Sequence, residues 1–225
     1  MPVISFVSSK GGVGKTTGAV VLAGELASSG RTVVMIDADP NQPLLLWERL
    51  QSLPDGLSVI ADESATTIID TIETARGSAD FVVVDLEGTA TDRIGFAITR
   101  SDLVLIPVQG SMLDANEAAK TVKLIRQMSR VANRDIPFRL YFSKAPGAIR
   151  ERTSRDIENQ FAENGIPTLP VILVDRAAFR ALFSLGGTLH TLDDNDVGGL
   201  PAARENSLAF AQAIVDTFKA KDATQ

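Results

Sequence analysis

Short, near-continuous apolar runs recur along the chain, separated by longer stretches with apolar residues at helical spacing. Val3–Ser8, Thr32–Ile36, Phe81–Val84, Leu103–Val108, Phe138–Phe142 and Leu169–Val174 have the length and aliphatic content of buried strands. Leu57–Ile60 reads as a short edge strand. Lys15–Ser29 places Ala19, Leu22, Ala23 and Leu26 at helical spacing and stops at Gly30. Further helices are predicted over Pro43–Leu50, Ser64–Arg76, Thr91–Arg100, Met112–Ala132, Thr153–Asn164, Arg176–Leu185 and Ala202–Lys219. Pro43 suits a first helical turn, where its missing N–H costs nothing. The Gly- and Asp-rich stretch 186–200 reads as loop with room for a short strand, and residues 221–225 are expected to fray.

Apolar strands alternating with helices require a sheet buried on both faces. The expected fold class is therefore α/β: a three-layer sandwich with a mostly parallel sheet and helices on both faces. The 225 residues fit one domain spanning residues 1–225, with no repeat or linker. Ligands in such folds bind at the carboxyl ends of the strands, and the three motifs below all sit there.

The first motif is Lys10-Gly11-Gly12-Val13-Gly14-Lys15-Thr16-Thr17, between the first strand and the first helix. A loop that wraps phosphates brings backbone N–H groups close to oxygens, and side chains would obstruct that approach. Glycines at 11, 12 and 14 meet this need, and the helix that follows adds the positive end of its dipole. Lys15 can reach the β- and γ-phosphates of ATP or ADP, and the Thr16 hydroxyl can ligand Mg²⁺. These features make it the phosphate loop of the P-loop NTPase fold. The pattern G-x-x-x-x-G-K-[ST] is incomplete, because Ser9 stands where its first glycine would fall. The two-lysine form K-G-G-x-G-K-[ST], the deviant Walker A signature, is complete. Two ammonium groups in one tight loop repel until a triphosphate binds. Lys15 then serves its own nucleotide, and Lys10 is expected to reach a partner's nucleotide across a dimer interface, as an arginine finger does in trans.

The other motifs are acidic strand ends. Asp37-Ala38-Asp39-Pro40 follows the second strand, and Asp85-Leu86-Glu87-Gly88 follows Val82-Val83-Val84. A carboxylate beside the phosphate loop supplies the oxygen that Mg²⁺ requires. Asp85 is the expected Walker B residue, acting through a metal-bound water. Asp37 is expected to support the metal region, and Asp39 to position or activate the attacking water.

On Lys10 to Thr17, Asp37 to Pro40 and Val82 to Asp85, the sequence resembles the ParA/MinD family of deviant Walker A ATPases. Ser101 to Val108 and Asp114 add support. Within that family it looks most like small plasmid-partition ATPases and VirC1-type relatives. It has no room before Val3 for an N-terminal helix-turn-helix domain. The resemblance implies Mg-dependent ATP hydrolysis, a homodimer when ATP-bound, nonspecific DNA binding, and a ParB-type centromere-binding partner that stimulates turnover. It implies plasmid or chromosome partition from a cytoplasmic, nucleoid-associated location. The alternatives are a conjugation accessory ATPase and a MinD-like positioning ATPase at the membrane. Asn41-Gln42 after Pro40, and Leu86-Glu87-Gly88 after Asp85, depart from the family's usual residues.

Composition narrows the rest. There is no cysteine and one histidine, which excludes thiolate metal sites, cysteine-ligated clusters and histidine-rich metal sites. No secretory signal is visible at the N-terminus. The net charge of −6 lacks the basic footprint of many nucleic-acid binders, so a DNA contact would need a local patch. Arg150, Arg152 and Arg155, together with Arg176 and Arg180, are the candidates. The C-terminal helix has apolar Leu208, Ala211, Ile214, Val215 and Phe218, but its polar side mixes acids with lysines. Packing onto the domain is expected rather than a membrane partner. Adenine contacts are expected from the Phe142–Gly147 region.

Overall fold

The computed structural model describes residues 1–88, 92–145 and 152–222, with side chains at 145, 152–155 and 220–222 excepted. Seven strands alternate with eight helices among them. In chain order they are β1 (Val3–Phe6), α1 (Lys15–Ser28), β2 (Val33–Ala38), α2 (Pro43–Glu48), β3 (Leu57–Ala61), α3 (Ile68–Ser78), β4 (Phe81–Leu86) and α4 (Asp92–Arg100). They continue as β5 (Leu103–Val108), α5 (Met112–Val131), β6 (Phe138–Ala145), α6 (Arg152–Glu163), β7 (Leu173–Val174), α7 (Ala177–Leu185) and α8 (Leu200–Asp222).

The sheet order is β3-β2-β4-β1-β5-β6-β7. Every pairing among the described strands is parallel, so the expected "mostly parallel" sheet is parallel throughout. Strand β1 lies at the centre, with β4 on one side and β5 on the other. Chain progression reverses direction there, which opens a crevice above the carboxyl end of β1.

Alternate strand residues feed two cores. Ile4, Phe6, Met35, Leu105 and Tyr141 pack with residues of α1, α2, α7 and α8 on one face. Val3, Val7, Ile36, Val84, Ile106 and Phe142 pack with residues of α3 to α6 on the other. The inner strands therefore carry apolar residues on both faces, while β3, at the edge, alternates buried and exposed.

Several boundaries differ from expectation for physical reasons. Helix α3 starts at Ile68 because Ser64 and Thr67 turn back to the buried Asp62. The Ser64 N–H and the Thr67 hydroxyl each donate to Asp62 Oδ1 at 2.9 Å. The predicted strand 169–174 keeps only Leu173–Val174. Leu169 still donates to the Leu140 carbonyl at 2.7 Å, but Pro170 has no N–H with which to continue the ladder. Helix α8 begins at Leu200, with Pro201 in its first turn, and extends to Asp222, so residues 221 and 222 are helical. The stretch 186–199 holds turns and no strand.

Trp47 is buried in the domain and donates to the Gly187 carbonyl at 2.9 Å. Phe210, Ala211 and Ile214 of α8 are buried in the core shared with α1, whereas Leu208 faces solvent. The single histidine, His190, sits 2.9 Å from Glu25 Oε1 and ties the loop before α8 to α1.

Gly18, one turn into α1, is where the helix meets the sheet most tightly. A Cβ there would lie 2.4 Å from the Tyr141 hydroxyl and 2.7 Å from a Phe6 ring carbon. Gly18→Ala is expected to lower stability by about 1–3 kcal/mol through overpacking. Urea denaturation followed by far-UV circular dichroism checks this; an unmoved midpoint would contradict the packing.

Candidate active site

The loop between β1 and α1 fills the central crevice. Gly12 has φ 73° and Gly14 has φ 102°, both in the left-handed region that favours glycine. Gly14 is also the N-cap of α1 and offers no side chain to cap it. The first N–H groups of the helix are left for a ligand.

Three donors at the end of β6 grip three consecutive loop carbonyls. The Tyr141 hydroxyl donates to Gly14 O at 3.0 Å, the Ser143 hydroxyl to Val13 O at 2.6 Å, and the Lys144 ammonium to Gly12 O at 2.6 Å. In a trans peptide the C=O and the next N–H point in opposite directions. Drawing these carbonyls toward β6 turns the N–H groups of Val13, Gly14 and Lys15 away from it, as an anion nest requires. The spacing of the loop itself gave no sign of this grip. The signal was in Tyr141, Ser143 and Lys144 at the carboxyl end of a strand.

An open cleft of about 620 Å³ is lined by loop glycines, Lys15, Thr16, Thr17, Asp39 and Lys144. Lys15 is buried, its Nζ 3.4 Å from the Lys10 carbonyl. Burial lowers its pKa, opposed by the charges of Asp85, Asp39 and Glu87. The Thr16 hydroxyl donates to Asp85 Oδ2 at 2.6 Å. Asp85 Oδ1 is buried without a hydrogen-bond partner among the described residues. Burial pushes the Asp85 carboxyl up to about 7, against the Thr16 hydrogen bond and the charge of Lys15. An orphaned carboxylate oxygen beside a threonine hydroxyl is the donor set a hard divalent cation takes. Residues 16 and 85 therefore fit Mg²⁺.

Asp37 has another task. Its Oδ2 accepts from the N–H groups of Leu44 at 2.8 Å and Leu45 at 3.0 Å, and its Oδ1 from Asp39 N–H at 3.3 Å. It caps α2, whose own N-cap residue Gln42 contributes no side-chain bond. With both oxygens engaged by backbone, Asp37 shapes the turn that carries Asp39 instead of facing a metal. Burial raises its pKa against these N–H bonds. Asp39 itself faces the cleft, steadied by Asn41, whose N–H and side-chain amide both donate to Oδ1 at 2.9 Å.

Lys10 lies outside the cleft in this single chain. Its ammonium pairs with Asp114 Oδ1 at 2.6 Å, at the start of α5. The Asp114 carboxylate is 4% exposed, so this is a specific seat and not a surface encounter. A second cavity, of about 360 Å³, adjoins the phosphate cleft and shares Gly14, Thr17 and Lys144 with it. Leu173, Phe179 and Phe183 supply apolar walls. The region expected to contact adenine thus contributes Ser143 and Lys144, while the aromatic walls come from α7.

Of the arginines expected to touch DNA, Arg150 lies outside the described residues, and Arg152 and Arg155 are placed in α6 by backbone alone. Arg180 is ion-paired with Asp175 and lines the second cavity. Arg176 is the N-cap of α7, and its Nε is buried without a partner among the described residues. Of the five, only Arg176 and Arg180 have side chains among the described residues.

A family model described as VirC1 protein matches residues 1–222. The chain is 39% identical to Protein ParA of Rhizobium radiobacter over 214 residues, covering 95% of this chain and 96% of that protein. Apo McdA from Cyanthece superposes with a TM-score of 0.76 at 19% identity, covering 95% of this chain and 99% of that one. The septum site-determining protein MinD of Pyrococcus horikoshii, complexed with Mg-ADP, superposes with a TM-score of 0.69 at 15% identity, covering 95% of each chain. At such identities the two structures speak to the fold.

The β6 grip is separable from the loop's own sequence. Ser143→Ala leaves the buried Val13 carbonyl unsatisfied, a loss of about 1–3 kcal/mol. With half of that falling on the loop's binding geometry, ADP affinity drops about twofold to twelvefold. Calorimetric titration with ADP checks this, and unchanged affinity in a folded variant would show that the loop holds its own shape.

Proposed function

The chain belongs to the VirC1 family and is a relative of ParA, and from that premise we propose that it is an ATPase that works as a nucleotide-dependent dimer on DNA. One observation carries the reading. The carbonyls of residues 12–14 are held back by β6, next to a buried Lys15 and a Thr16–Asp85 pair with an orphaned oxygen. That arrangement is complementary to a metal-bound di- or triphosphate and to little else.

In this reading the loop N–H groups and Lys15 hold the β- and γ-phosphates. Thr16 and Asp85 hold Mg²⁺, which when bound neutralises phosphate charge. The apolar cavity of Leu173 and Phe179 takes the base, and Lys144 sits between base and phosphates. Asp39 faces the cleft and orients the attacking water. Phosphoryl transfer needs positioning and charge stabilisation above all, so one placed carboxylate suffices.

Lys10 completes the site in trans. Its seat on Asp114 holds it away from its own cleft, and dimerisation exchanges that carboxylate for the partner nucleotide's phosphates. A trans cation of this kind is worth about 10³–10⁵ in rate. The output is DNA partition: the ATP dimer binds DNA without sequence preference, and a centromere-binding partner stimulates hydrolysis. The buried apolar side of α8 supports this reading over one at the membrane. Among the described residues no helix is long and apolar enough to cross a bilayer.

Asp39→Ala is expected to bind ATP as the parent does and to lose hydrolysis, read as phosphate release beside a filter-binding assay. Turnover equal to the parent would remove Asp39 from the mechanism. Specific activity is expected to fall as the protein is diluted, because Lys10 acts across the dimer. Activity per chain that stays constant down to nanomolar protein would contradict the trans role.

A further inference from the structure

Four loops follow the four adjacent strands β3, β2, β4 and β1; a line of hydrogen bonds ties the first three together above the sheet, and Gly88 packs against the fourth. At its centre is Arg93, in the first turn of α4, with a side chain only 7% exposed. One guanidinium nitrogen, Nη2, lies 2.6 Å from Glu87 Oε1, two residues beyond Asp85. The other, Nη1, donates to the Glu63 carbonyl in the loop after β3. The Glu63 carboxylate in turn accepts from the side-chain amide of Gln42, and the Gln42 N–H donates to the Asp39 carbonyl at 2.9 Å. At the far end, Gly88 lies flat on the phosphate loop; a Cβ there would stand 3.1 Å from the Gly11 nitrogen.

This line joins the turn that presents Asp39 to the strand end that presents Asp85, and both to the phosphate loop. A buried ion pair contributes little net stability over an apolar pair of equal volume, but its geometry is specific. The guanidinium fork is what makes the junction: a planar group satisfies a carboxylate and a carbonyl on different loops at once, which a point charge cannot do. The departure of Glu87-Gly88 from the family's usual residues is explained on the same ground, since Glu87 seats Arg93 and Gly88 admits the phosphate loop.

We propose that Arg93 is a positioning residue for ATP hydrolysis, setting the Asp39 turn in register with Asp85 and the phosphate loop through Glu63, Gln42 and Glu87. The proposal rests on the hydrolytic reading above for its catalytic consequence, though the mechanical link it describes does not. Arg93 is not among the residues that line the phosphate cleft, so its loss acts on turnover through Asp39.

The test uses Arg93→Lys, which keeps the charge on Glu87 and gives up the fork, and Gln42→Ala, a partly exposed change that cuts the same line further out. Two readouts are taken on the full chain: steady-state kcat and KM for ATP, and amide hydrogen exchange without nucleotide over residues 41–45 and 86–88. For Arg93→Lys we expect kcat to fall by about tenfold to 10²-fold, the scale of a small misplacement, with KM within about twofold. Exchange should quicken in both segments together. Gln42→Ala should shift kcat in the same direction by less, with faster exchange at 41–45. Parental kcat in either folded variant, or exchange that changes at 86–88 while 41–45 stays as in the parent, would overturn the proposal. If the parent protein itself shows no turnover, the hydrolytic reading fails, while the exchange pattern still decides whether the loops are linked. Should Arg93→Lys not fold, Gln42→Ala decides on both readouts.

Discussion

The direction in which three backbone carbonyls point is the constraint on which the site depends. Peptide groups are rigid, so a loop that offers N–H groups to a phosphate must place its carbonyls elsewhere. Here they go to Tyr141, Ser143 and Lys144 at the end of β6. This explains features distant in sequence. Gly12 and Gly14 take left-handed backbone because the loop must turn its carbonyls outward. Gly18 has no side chain because the Tyr141 hydroxyl occupies that space. The reversal of chain progression at β1 brings β4 and β5 against it and leaves β6 one strand further out, within reach of the loop.

A second constraint is charge. Asp37, Asp39 and Asp85 crowd beside a single buried ammonium, Lys15. The fold neutralises them by different means. Asp37 is absorbed by N–H groups at the start of α2. Asp39 is held by Asn41 at the edge of the cleft. Asp85 is left buried, one oxygen on Thr16 and the other without a partner among the described residues, and its carboxyl is pushed up to about 7. That is an unfavourable state for a carboxylate alone and a favourable one beside a bound cation. Lys10, the second ammonium of the loop, is meanwhile parked on Asp114. The orphaned Asp85 oxygen leaves charge uncompensated in the single chain, which is the state the proposed Mg²⁺ and nucleotide would complete.

Much of this was legible in the sequence. The buried strands β1, β2, β4 and β5 stood out because a parallel sheet covered on both faces needs unbroken apolar runs. Residues 10–17 stood out because the glycine spacing has few other uses. What was hidden depends on side chains that cross between elements. The sequence points Asp37 to the metal region and Asp39 to the attacking water, and only the path of the turn reveals that Asp37 is engaged by backbone N–H groups while Asp39 faces the cleft. The grip of β6 joins residues more than a hundred positions apart, and nothing in Tyr141-Phe142-Ser143-Lys144 alone names its target. Arg93 reads as one more polar residue in a helix until the fold buries it against Glu87. The apolar run 169–174 keeps only Leu173–Val174 as strand because Pro170 has no N–H to continue the ladder.

The central claim is that the loop and the Thr16–Asp85 pair form a preorganised receptor for metal-bound phosphates. Isothermal titration of the pure, folded chain with ADP, in the presence and absence of Mg²⁺, tests it most directly. The account predicts one saturable site per chain, with affinity that rises when Mg²⁺ is added. Absence of saturable heat under both conditions would contradict it.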